Sequence, residues 1–187
     1  MISKFTKALL VLAVVVSFMA STEAYSWQQA LPSPKATVMQ IIKTTEITVV
    51  YHRPSVTPPP SSLRTSSVIW GEGVPYSKVW RAGANNATTI EFGKDVTIQG
   101  EDLAAGLYSF WVIPERDEWT LIFSSEPDVW GTAYPGIGND VLRVKTKPET
   151  AEHSERLSYY FPEVLSDSGV LYLHWEKIRV PINIKVK

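Results

Sequence analysis

Residues 178–186 read Ile-Arg-Val-Pro-Ile-Asn-Ile-Lys-Val, and their alternation decides the fold class. Ile178, Val180, Ile182, Ile184 and Val186 fall on one face of an extended chain, while Arg179, Pro181, Asn183 and Lys185 fall on the other. A period of two is the mark of a half-buried strand. Pro181 has no N–H to donate, so it predicts an edge strand or a bulge at that point. The same alternation recurs upstream: 46–52 (EITVVYH) places Ile47, Val49 and Tyr51 together. Further runs occupy 88–92, 96–99, 107–113, 119–124, 141–145, 157–161 and 170–175. Gly93-Lys94-Asp95 and the proline-opened segment 114–118 read as hairpin connections. No stretch keeps helical periodicity beyond about two turns. Short strands with regular turn signals predict an all-β chain, an antiparallel β-sandwich of about eight to nine strands.

At the N-terminus, Lys4 and Lys7 precede the apolar run 8–20 (ALLVLAVVVSFMA). That run is shorter than the about 20 residues a membrane helix needs, but it suits the core of a secretory signal. Small residues at Thr22 and Ala24 predict cleavage after Ala24. The expected organisation is a signal peptide over 1–24, then one domain over 25–187, periplasmic or secreted. Without Lys4, Lys7 and Glu23 the chain carries 16 basic and 18 acidic residues, a charge of −2. This balance argues against nucleic acid as a partner. No later segment is apolar enough to predict a membrane span. Cysteine is absent, which excludes disulfides and thiol catalysis; the full sequence has seven Trp, eight Tyr and six Phe, all but Phe5 and Phe18 lying after residue 24 and able to supply a core.

Catalytic templates find no match: there is no Gly-x-Ser-x-Gly elbow, phosphate loop, His-Glu-x-x-His or dinucleotide fingerprint. His52, His153 and His174 show no paired spacing for a metal. No cofactor and no metal ligand set is predicted. His174 is expected as a satisfied, buried or half-buried side chain.

Two features remain. The segment 79–92 (VWRAGANNATTIEF) holds Trp80 and Arg81 before Gly83, Asn85 and Asn86, residue types that tolerate left-handed backbone. Arg81 either closes a buried polar network, with Arg53 or Glu91 as neighbours, or opens a ligand pocket with Tyr76, Asn85 and Asn86. The loop 128–139 (DVWGTAYPGIGN) offers Trp130 and Tyr134 as a stacking platform, whereas Trp111 and Trp119 follow the core pattern.

The words Tyr51-x-Arg53-Pro54-Ser55-Val56 and Val79-Trp80-Arg81-x-Gly83-Ala84-Asn85, with Trp130-Gly131 and Trp175-Glu176-Lys177-x-Arg179-Val180-Pro181, resemble domain of unknown function family 2911. The resemblance runs from about Ser33 to the C-terminus and implies an exported bacterial protein with a β-rich fold. It implies no activity. The segment 57–67 is richer in Pro and Ser than the family pattern. The motifs gather at Arg53 and at Arg81–Asn85, so an arginine-rich corner for a carboxylate or other anion is expected if these strand ends meet. The function expected is a binding module for a glycan or small anion. An envelope hydrolase using a carboxylate pair or metal is the alternative, as is a structural or protein-interaction domain.

Overall fold

In a computed structural model, residues 32–60 and 64–187 are described, so the expected signal peptide lies outside them. Among these residues, ten strands form two antiparallel sheets. In chain order they are β1 Lys35–Ile42, β2 Thr45–His52, β3 Thr88–Phe92, β4 Val96–Ile98, β5 Glu101–Leu103, β6 Gly106–Ile113, β7 Trp119–Ser124, β8 Asp140–Thr146, β9 Glu149–Val164 and β10 Ser168–Val186. The six-stranded sheet runs β1-β2-β3-β6-β7-β8 and the four-stranded sheet β5-β4-β10-β9. The chain is an all-β antiparallel sandwich.

The core lies between the sheets. Ile47, Val49, Ile90, Phe92, Phe110, Leu121 and Phe123 meet Leu157, Leu171, Leu173, Val180, Ile182 and Ile184, all essentially buried. Each such side chain contributes about 1.5–3 kcal/mol of transfer free energy.

Several local expectations change in three dimensions. Gly93-Lys94-Asp95 joins β3 to β4 but makes no hairpin, because those strands belong to different sheets. Phe92 and Val96 both enter the core, so the turn carries the chain across the sandwich. The runs at 170–175 and 178–186 are one strand. A bulge at Glu176, whose φ is 56°, shifts the register against β9 and reverses the inward parity. Leu171, Leu173 and Trp175 point inward before it; Val180, Ile182 and Ile184 do so after it. Extra residues at bulges do this because a side-chain period of two has no other way to change face. Pro181 sits at neither an edge nor that bulge. Pairing with β9 ends at Arg179 and pairing with β4 begins at Ile184, so proline occupies the gap where no ladder donor is required. Its carbonyl accepts Thr146 Oγ1 at 2.8 Å, tying β8 to β10.

β7 is buried on both faces. Trp111 and Ile122 project from the outer side of the six-stranded sheet into a second small core with Ala87, roofed by Val79, Val129 and Tyr134. The loops that carry the candidate site are therefore packed onto the sheet.

Candidate functional site

The segment singled out in the sequence is an excursion from the six-stranded sheet. Trp80 pairs with Val112 through two backbone hydrogen bonds of 2.8 Å, and Thr88 pairs with Phe110 two residues along the same strand. Residues 81–87 leave and return between these ladder positions. Two residues hold left-handed backbone, Ala82 at φ 51° and Asn85 at φ 57°. Gly83 does not share that conformation. Its role is close approach, since a Cβ there would stand 2.8 Å from Thr88 Oγ1 and 3.3 Å from the His52 carbonyl.

The left-handed Ala82 is held from two sides. Its carbonyl accepts the Thr88 hydroxyl at 3.0 Å and the Tyr159 hydroxyl at 2.9 Å. The Trp80 indole N–H donates to Gly83 O at 3.1 Å, and Asn85 Nδ2 donates to Ser33 O at 3.2 Å. Gly131 N donates to Asn85 O at 3.0 Å, so the loop 128–139 is laced to the excursion. Hydroxyl donors from both sheets, Thr88 on β3 and Tyr159 on β9, thus fix the backbone from which Arg81 projects.

Arg81, Trp80 and Asn85 line a cleft of about 520 Å³, together with Arg64, Lys78, Trp175 and a rim of prolines that includes Pro54. Three cations and no carboxylate are among its lining residues. One wall is aromatic. Trp80 stacks on Trp175 at 5.9 Å and 22°, and Trp70 sets its edge against both as well as against Trp119.

Arg64 is committed to this structure: it donates to Ser55 O and Ser66 O, and its guanidinium lies 5.8 Å from the Trp175 ring. Arg81 differs. It is half-buried, makes no hydrogen bond or ion pair with any described residue, and its Nε is sealed from solvent without an acceptor. Burial pushes its pKa below the ordinary arginine value. Trp175, which also lines the cleft, has an Nε1 that is likewise sealed and without a partner among the described residues. Buried polar groups in folded proteins are nearly always bonded, so two orphans around one cleft call for an explanation.

The other candidate residues lie around this cleft without entering it. Arg53 donates through Nε to Leu157 O at 3.0 Å, within a crossing segment that bridges β9 at Ser55 and Arg156. Its neighbour Pro54 lines the cleft. Glu91 is exposed on β3, so neither neighbour expected for a buried Arg81 network bonds to it. Tyr76 lines an adjacent pocket with the acids Glu115, Asp117 and Glu118, under the Arg116 guanidinium at 5.3 Å. Asn86 forms a backbone bridge to Trp130, and Trp130 is 69% exposed. Tyr134 packs edge-on against Trp111 at 5.4 Å, its hydroxyl donating to Asp140 at 2.6 Å. From the 128–139 loop only Thr132 reaches the cleft. His174 is half-buried between the Tyr160 hydroxyl and Glu152 O. Among the described residues there is no group of three or more His, Asp or Glu that could hold a metal ion.

Arg64 and Trp175 join the cleft from distant parts of the chain, and neither they nor the nearby Lys78 carry a local pattern that marks them. Only the resemblance around Trp175-Glu176-Lys177 pointed toward that wall.

No curated protein and no solved structure matches this chain. A family model described as a protein of unknown function (DUF2911) matches residues 33–184, which span the excursion, the tryptophans of the aromatic wall and all but the last residues of β10. The chain belongs to the DUF2911 family.

Proposed function

We propose that this protein is an exported binding module that holds a small anionic ligand in the cleft around Arg81. The observation that carries the reading is the guanidinium itself. A half-buried positive charge with no acceptor among the described residues raises the free energy of the folded state, and an anion would relieve that cost. The lining adds Lys78 and Arg64 and contains no acid to compete. A volume of about 520 Å³ falls in the range of small-molecule sites.

Export rests on the charged and apolar N-terminal pattern of residues 4–24. No helix among the described residues is long and apolar enough to cross a membrane. A glycan platform on the 128–139 loop has less support, because Tyr134 is packed on Trp111 and leaves Trp130 alone on the surface.

The test is thermal unfolding of wild type and Arg81→Gln against a panel of inorganic and organic anions. A ligand present at 100 times its Kd adds about 2.7 kcal/mol of stability. The expected outcome is such a shift in wild type that disappears in a folded Arg81→Gln protein. No shift with any anion, or an equal shift in both proteins, would sink the reading.

A further inference from the structure

The cleft's composition narrows its ligand, on the premise that the anion reading above holds. We infer that it takes a monocarboxylate carried on a flat apolar ring: an aryl or heteroaryl carboxylate.

The charge requirement is small. Arg64 spends donors on two backbone carbonyls, whereas Arg81 makes no hydrogen bond to any described residue. Its Nε is sealed, which leaves the terminal Nη pair to meet a ligand. Two parallel N–H donors match the two oxygens of one carboxylate. A tetrahedral polyanion would need more donors than this single fork supplies, and Lys78 lies on the exposed rim.

The remaining space is large, and somewhat more than half of its lining is apolar. A bare acetate or phosphate would occupy only a small part of about 520 Å³. The wall beside Arg81 is Trp80, already stacked on Trp175, with Pro54 and Pro75 nearby. A planar ring continues an existing aromatic stack, and offset or edge-on ring pairs contribute beyond the area they bury. Trp80 is also held in place by its indole hydrogen bond to Gly83, so the wall is formed before a ligand arrives.

The experiment is isothermal titration of the full chain with four probes: indole-3-carboxylate, indole-3-carboxamide, acetate and inorganic phosphate. Indole-3-carboxylate is expected to bind at least tenfold tighter than each of the other three. Arg81→Gln should erase the difference between carboxylate and carboxamide, and Trp80→Leu should narrow the difference between indole-3-carboxylate and acetate. The wild-type ranking alone decides the matter if either variant fails to fold. Acetate or phosphate binding as tightly as the indole acid would overturn the ring requirement while leaving an anion cleft in place. Equal binding of carboxamide and carboxylate would overturn the charge requirement, and with it the anion reading. Absence of binding by all four would overturn the proposed class.

Discussion

Arg143, on β8, and Arg81, in the excursion after Trp80, form a contrast: among the described residues Arg143 meets a carboxylate and Arg81 meets none. Arg143 donates through Nε to Asp140 and through Nη2 to the Tyr134 hydroxyl at 2.8 Å, while Tyr134 donates to Asp140. Burial by itself would lower the Arg143 pKa, but the bonds to Asp140 and Tyr134 carry it above the ordinary value. At Arg81 burial acts unopposed and the pKa falls. The first arrangement anchors a loop. The second leaves a charge waiting, and sites that break a local rule without internal compensation are where function is to be sought.

Removing the acid from the first cluster should have the largest effect. Asp140 is 4% exposed and Arg143 32%, so Asp140→Ala strands a partly solvated guanidinium and a phenol. A loss of about 2 kcal/mol is expected in urea unfolding, below the range for fully enclosed pairs because Arg143 keeps contact with water. Arg81→Met should cost under about 0.5 kcal/mol or even stabilise, since an apolar stem of similar shape remains and an uncompensated charge goes. Equal losses from the two substitutions would break the contrast and make Arg81 structural.

Tyr159→Phe sharpens the comparison at intermediate size. It removes one of two hydroxyls that hold the Ala82 carbonyl, and about 1 kcal/mol should be lost. Because Ala82 follows Arg81, the affinity for an anion should weaken as well. Unchanged stability and unchanged binding would show that the Thr88 hydroxyl suffices to pin the excursion.

The smallest expected effect is a pH dependence. Burial first, then the charges of Lys35 and Arg81, hold the His52 pKa below its ordinary value. The unfolded chain therefore binds the proton more readily than the folded one in the window below about pH 6.5. Stability from this group is complete above that pH and declines as the pH falls through the window. Melting temperatures between pH 7.5 and 5 should show a shallower acid decline in Arg81→Gln than in wild type. Parallel curves would mean that Arg81 does not act on His52.

Much of this architecture is legible along the chain because a strand advertises itself locally. The alternation at 46–52, 119–124 and 178–186 marks residues that β2, β7 and β10 bury. β1 escapes that reading because its apolar residues fall on both parities, with Met39 and Ile41 exposed beside half-buried Val38. The first half of β9 escapes it because its ladder with β10 is dressed in polar side chains. Trp111 carries the core pattern, yet the core it joins is on the far face of the sheet, under loops that alternation cannot see.

The site divides the same way. The chain alone determined a strand-rich protein, a polar turn after Trp80, and the presence of an arginine within it, because these depend on neighbours a few residues apart. Only the tertiary structure decided that residues 81–87 leave the sheet between two ladder positions, that Arg64 and Trp175 stand beside them, and that Arg53 bonds Leu157 instead. It also decided what Arg81 lacks. Whether a buried charge is paired depends on which distant groups the fold brings within about 4 Å, and that is a property of packing, not of spacing along the chain.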